Sequence, residues 1–183
     1  MVQERQESPA TRKPSYLGWF LVCLSIYVAA VTAYGVYSYG RKRAMLMGEI
    51  DRSLQQAAVS LKYMLAPDFH DRALGPGAIG FEEELRNRRA VSEFTADARF
   101  KWTYTLVEKD GKFYFSAPTV SAEEARERTS WYFYPYDDIP PEFVRALASG
   151  QPAYVNYTDQ WGRFRSIALP QKSPGGHPYL ACA

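Results

Sequence analysis

Cysteine and histidine are scarce in this 183-residue chain, with two of each. Cys23 and Cys182 cannot build a disulfide framework, and four Cys or His ligands at zinc spacing are missing. An excess of one charge is lacking too. The 22 Lys and Arg against 20 Asp and Glu leave +2, which argues against a polyanion-binding footprint and against a disordered acidic chain. A nucleic-acid partner is therefore not expected. No phosphate-binding glycine loop of the Walker or dinucleotide type occurs, and no internal repeat is visible, so no cofactor is expected. What the chain does have is 46% hydrophobic and 15% aromatic residues, enough for one core but hardly two.

That hydrophobicity is unevenly placed. Tyr16 to Tyr39 carries no charge over 24 residues, bounded by Arg12 and Lys13 before and by Arg41, Lys42 and Arg43 after. At ~1.5 Å per residue such a helix reaches ~36 Å, enough to cross a ~30 Å hydrocarbon layer with some tilt. Trp19 and Phe20 at one end, with Tyr34, Tyr37 and Tyr39 at the other, match interfacial aromatic belts. A cleaved signal peptide is the competing reading, with Val31-Thr32-Ala33 as its small-residue site, but the apolar run continues past it. The expected organisation is a tail over 1–15, a membrane helix over 16–39 and a folded region over 40–183. Basic residues flank both ends of the span, so charge alone does not orient it. The size difference between tail and folded region places the tail in the cytoplasm. From residue 44 onward 16 basic residues face 18 acidic ones, so the body is near neutral.

From Arg43 to Pro67 the pattern is helical, and Met47, Ile50, Leu54, Ala57, Leu61 and Met64 follow a heptad seam. This stripe can cover a sheet in its own subunit or pair with its twin in a homodimer. One helix can do both along different parts of its length. Pro67 to Gly80 reads as a loop or a broken turn linking two helices. Phe81, Leu85, Val91, Phe94 and Ala98 then mark a second, amphipathic helix whose charges, such as Glu82, Glu83, Arg86 and Arg89, read as a solvated face.

After Phe100 the period becomes alternating. Trp102 to Val107, a turn at Asp110-Gly111, and Lys112 to Ser116 predict a β-hairpin. Ser121 and Glu124 fit a capping box for a short helix over Ala122 to Arg128. Pro140-Pro141 and Gly150 bracket another helix carrying Phe143, Val144 and Leu147. Ala153 to Tyr157, a turn over Asp159 to Gly162, and Arg163 to Leu169 predict a second hairpin. Tyr179 to Cys182 reads as a last strand that is cut short. The fold class is α+β: a membrane helix continuing into a long helix packed on a central antiparallel sheet of about five strands.

The segments YTLVEKDGKFYF, YPYDDIPPEFVRALASGQPAYVNYTDQWGRFRSIALP and SPGGHPYLACA together resemble the extracytoplasmic PAS-like sensor domains called Cache or PDC domains. The long helix leaving a first span resembles their N-terminal spine. The resemblance implies the periplasmic, ligand-sensing part of a receptor in a bacterial inner membrane, with a chemotaxis, histidine kinase or diguanylate cyclase output. Such receptors return through the membrane to that output, and the chain stops before a second span, so it reads as the outer half of a longer protein or a truncated one.

The resemblance also implies a small ligand on one face of the sheet, and the chemistry concentrates there. Between Phe100 and Ala183 lie 17 aromatic residues, including Trp131 to Tyr136 ahead of Asp137 and Asp138. Aromatic walls with an acidic rim suit an amine, an amino acid or another cation. Trp102, Tyr104, Ser116, Tyr154 and Arg165 are candidates to face the same space, with Arg165 able to hold a carboxylate bidentately. Taken singly, each fits a packed strand or a sheet edge as well. The expectation therefore requires Tyr132, Tyr134, Asp137 and Arg165 to converge on one cavity. No catalytic constellation stands out, so the segment is not expected to be an enzyme. His70 and His177 read as surface residues, and Cys182 as a small buried hydrophobe. A membrane-anchored envelope binding protein without signalling output, and more remotely a membrane-anchored hydrolase, are the alternatives.

Overall fold

A computed structural model describes residues 16–159 and 162–183. The expected cytoplasmic tail, and Gln160 and Trp161 of the expected hairpin turn, lie outside them. The chain divides into two compact units, Met1–Met47 and Gly48–Ala183, each described by itself. In the first, helix α1 (Tyr16–Leu61, 46 residues) begins at the start of the uncharged run. Its most apolar 18 residues have a mean hydropathy of 1.9 and none of them is buried. It is long and apolar enough to cross a membrane.

In the second unit, α1 ends by burying Leu54, Ala57, Ala58 and Leu61. Met47 and Ile50, the first two positions of the seam, remain 37% and 42% exposed. The stripe is thus covered only in its C-terminal part. The segment expected to be a loop or a broken turn holds a one-turn helix, α2 (Phe69–Arg72), with Phe69 and His70 buried. Its short length gave no periodic signal. Helix α3 (Phe81–Asp97) buries Glu84, Asn87, Val91 and Thr95, while Phe81 is 46% exposed. Its inner face is therefore more polar than the apolar spacing suggested. Its charges are not all solvated: Glu83 accepts two bonds from Arg72, at 2.7 and 2.8 Å, and Glu84 is buried.

Strands β1 (Tyr104–Lys109) and β2 (Lys112–Pro118) form the first hairpin. Asp110 and Gly111 take φ of 53° and 76°, the two positive values a type I′ turn needs. Short helix α4 (Glu124–Glu127) is fastened by the predicted capping box, with Glu124 N–H on Ser121 Oγ at 3.2 Å and Ser121 N–H on Glu124 Oε2 at 2.8 Å. Strand β3 (Tyr134–Pro135) follows, then α5 (Pro141–Ser149), which starts on proline and stops at Gly150 with φ of 69°. Strands β4 (Ala153–Asp159), β5 (Gly162–Lys172) and β6 (Pro178–Cys182) complete the sheet.

The sheet is antiparallel throughout, in the order β3-β2-β1-β6-β5-β4, so it has six strands. The strand beyond the expected five is β3, two residues inside an aromatic run that offers no alternation to read. The last strand lies in the middle: Cys182 pairs with Tyr104 on one side and Ala168 on the other.

Alternation sorts the side chains onto two faces. Thr105, Val107, Ile167, Leu169, Tyr179 and Ala181 turn towards α1, α2 and α3, where Leu54, Leu61, Phe69 and Val91 meet them. Tyr104, Leu106, Phe115, Ala168, Leu180 and Cys182 turn the other way, beneath α5, where Phe143 and Ala146 cover them. Burying each large apolar side chain contributes roughly 1.5–3 kcal/mol, so both layers are needed to hold the sheet.

Candidate ligand-binding site

The α5 face carries a cavity of about 40 Å³. Its floor is the sheet, through Tyr104, Phe115, Tyr157 and Phe164, with Trp102 just before β1. Pro118 at the end of β2, and Thr119, Glu124, Trp131 and Tyr136 from the segment between β2 and α5, complete the lining. Seven of these ten residues are aromatic, and Glu124 is the one carboxylate among them. The rings brace one another edge-on, Tyr104 against Phe115 at 5.3 Å and against Tyr136 at 6.3 Å between centroids.

Trp131 is the fixed point of the outer wall. Its backbone N–H donates to Glu84 Oε1 of α3 at 3.1 Å, and its indole N–H donates to the Glu124 carbonyl, also at 3.1 Å. The Arg128 guanidinium stands 4.8 Å from its ring and 4.2 Å from that of Tyr134, which shows that these aromatic faces accept a cation. Trp102 contributes a different chemistry. Its Nε1 is buried and has no hydrogen-bond partner among the described residues. A buried N–H without an acceptor is costly, roughly 1–3 kcal/mol, unless a guest supplies one. Burial lifts the Tyr104 phenol well above its ordinary range; its hydroxyl lies 3.4 Å from that of Tyr157. At pH 7 the Tyr104 hydroxyl is therefore a neutral donor and acceptor.

The structure brings only two of the eight predicted site residues, Trp102 and Tyr104, to this cavity. Tyr134 stands beside it, packed edge-on against Trp131 at 5.0 Å, and Asp137 is exposed outside its lining. The other four turn towards the helices. Ser116 sits where the register shifts between Thr105 and Leu106, and its hydroxyl bonds Thr105 Oγ1 at 2.7 Å. The Tyr132 hydroxyl donates to the Gly75 carbonyl at 2.9 Å. Tyr154 donates to Gln55 of α1 at 3.1 Å. Arg165 spends its fork on Asp51 of α1, with two bonds of 2.7 Å. None of Tyr132, Tyr134, Asp137 and Arg165 lines this cavity, and the parity of β5 turns Arg165 towards the helical face. Odd positions there from Arg165 to Leu169 face the helices.

Reading the sequence alone did not single out Phe115, Pro118, Thr119, Glu124, Tyr157 and Phe164, and it named Trp131 and Tyr136 only as part of the aromatic run. For β4 and β5 a signal was available: Tyr157 and Phe164 alternate with Asn156 and Arg165 in paired register. Glu124 opens the short helix α4 and Trp131 lies in the irregular segment after it, so no strand alternation pointed either one at the cavity.

The two histidines differ. His70, expected at the surface, is 5% exposed and stacked on Tyr179 with 3.6 Å between ring centroids. Burial lowers its pKa from 6.5 to about 3. His177 remains partly exposed in the turn before β6. Cys182 is fully buried as expected, and burial pushes its thiol well up, so it stays protonated and inert. Among the described residues no group of three or more His, Cys, Asp or Glu side chains could hold a metal. No protein-family model matches the chain, and no curated protein matches it.

Proposed function

We propose that the chain is the ligand-sensing, extracytoplasmic region of a bacterial inner-membrane receptor, anchored by the N-terminal part of α1. The observation that carries this reading is the aromatic cavity opposite the helical layer, with one carboxylate in its lining and an indole N–H, that of Trp102, without a partner among the described residues. Its lining suits a small amine, or an amino acid or methylated zwitterion, whose cationic end meets the rings and Glu124 while an oxygen accepts from Trp102. At about 40 Å³ the cavity holds little more than water, so ligand entry requires its lining to move outward. Nothing in this mechanism requires covalent chemistry.

The α+β sheet and the long first helix support the kinship with PAS-like Cache domains expected from the sequence. The exposed seam positions Met47 and Ile50 support pairing of α1 with a second copy in a homodimer, in which a ligand-dependent shift of the helix reaches the membrane. Thermal denaturation of the protein with tetramethylammonium, ethanolamine, glycine betaine and common amino acids tests the reading. Stabilisation by at least one probe, lost on Trp131→Ala, is the expected outcome. A folded protein that none of them stabilises contradicts it.

A further inference from the structure

We infer that the ion pair between Arg165 of β5 and Asp51 of α1 is the link that couples the cavity to the helix, and that Arg165 is a coupling residue rather than a ligand-binding one. The inference rests on the cavity being the ligand site. Its geometry is that of a two-sided hairpin. Tyr157 and Phe164, paired across β4 and β5, line the cavity on one face. Asn156 and Arg165, the next pair in register, stand on the opposite face, where Arg165 Nη1 also donates to Asn156 Oδ1 at 3.3 Å. Arg165 Nε and Nη2 grip Asp51 in parallel, and four residues along α1 Gln55 accepts from Tyr154 of β4. Two contacts one helical turn apart thus tie one stripe of α1 to the hairpin whose other face is cavity wall.

A strand is thin, and its side chains pass a displacement from one face to the other through a shared backbone. A guest that moves Tyr157 and Phe164 tilts the hairpin and so loads the Asp51–Arg165 pair. A bidentate guanidinium–carboxylate contact is strongly directional, so it holds one arrangement or gives way, which is how a small shift becomes a discrete one. The side chains are 22% and 26% exposed, shielded enough for the pair to matter and open enough for it to re-form elsewhere.

Thermodynamic coupling is reciprocal, so the link can be tested from the helix side without any ligand. The full chain carrying 5-fluorotryptophan, with Trp102 and Trp131 assigned by single Trp→Phe substitutions, gives fluorine signals that report on the cavity. Arg165→Gln and Asp51→Asn are expected to shift or split both cavity signals. Arg165→Lys, which keeps charge but not the fork, is expected to give an intermediate shift. Arg72→Gln breaks a comparable ion pair between α2 and α3 and is expected to leave Trp102 where it is. Cavity signals that respond to Arg165→Gln no more than to Arg72→Gln would overturn the link, whatever ligands bind. Failure of all ligand probes would instead strike the ligand reading while this measurement still decides the coupling.

Discussion

Arg165 and Asp51, 114 residues apart in sequence, meet through two parallel hydrogen bonds of 2.7 Å that fasten β5 to α1. The pair is partly shielded, and Asp51 holds the Arg165 guanidinium more firmly protonated than usual. Arg165→Ala should cost about 1–2 kcal/mol in chemical denaturation, with Arg165→Lys recovering less than half because an ammonium cannot reproduce the fork. An Arg165→Ala loss that persists unchanged in an Asp51→Ala background would show that the pair itself contributes nothing.

Acid should loosen the fold through His70. Its folded pKa, about 3, lies below the ordinary 6.5, so between these values the unfolded chain binds a proton that the folded chain refuses. Stability from the buried neutral ring is complete above pH 6.5 and falls as pH drops, by about 2 kcal/mol at pH 5. Asp68 and Glu83, lowered by their hydrogen bonds to Arg72, lose their contributions only below their ordinary 3.8 and 4.5. The window from pH 5 to 6.5 therefore isolates the histidine. Denaturation midpoints of His70→Phe, which keeps the stack on Tyr179, should vary far less across that window than those of the parent.

Gly175 is fixed by what lies against it. Its N–H donates to both Asp71 oxygens, at 3.0 and 3.1 Å, and the Ser173 hydroxyl donates to the same carboxylate. A Cβ at Gly175 would meet Asp71 Oδ1 at 2.5 Å. Gly175→Ala should thus release the turn between β5 and β6 from α2 at about 1–3 kcal/mol, whereas Gly80→Ala, where a Cβ meets nothing, should cost less than a third of that. Equal losses at the two glycines would remove the clash from the account.

The membrane anchor is testable in the full chain. Val28, near the middle of the uncharged run, is exposed on α1. Val28→Arg places a charge at the depth where insertion is disfavoured by roughly 2.5–3.5 kcal/mol, so the variant should leave the membrane fraction on alkaline extraction while the parent stays. An unchanged membrane fraction would point to attachment by something other than this helix.

The hairpins, the capping box, the proline-started α5 and the two long helices were legible because each rests on local rules: positive φ at Asp110-Gly111, reciprocal caps at Ser121 and Glu124, and periodic burial. The cavity was not legible to the same degree. Its two recovered residues, Trp102 and Tyr104, belong to or adjoin a strand, where alternation helps. Trp131 is placed by a long-range bond, from its N–H to Glu84 across 47 residues, and no spacing encodes such a contact. Arg165 has the chemistry to hold a ligand carboxylate, but it faces Asp51 of α1 and not this cavity, a pairing across 114 residues that no local spacing encodes.

The central claim, a small amine or zwitterion held in the aromatic cavity, is tested most directly at the indole N–H of Trp102. In a nitrogen-15 labelled sample titrated with glycine betaine, tetramethylammonium and ethanolamine, the account predicts saturable movement of the Trp102 and Trp131 indole resonances with at least one probe, while that of Trp19 on α1 stays still. The Trp102 proton should move furthest with a probe that carries an acceptor oxygen. Indole resonances that stay unmoved up to high probe concentration, or that move together with Trp19, would contradict it.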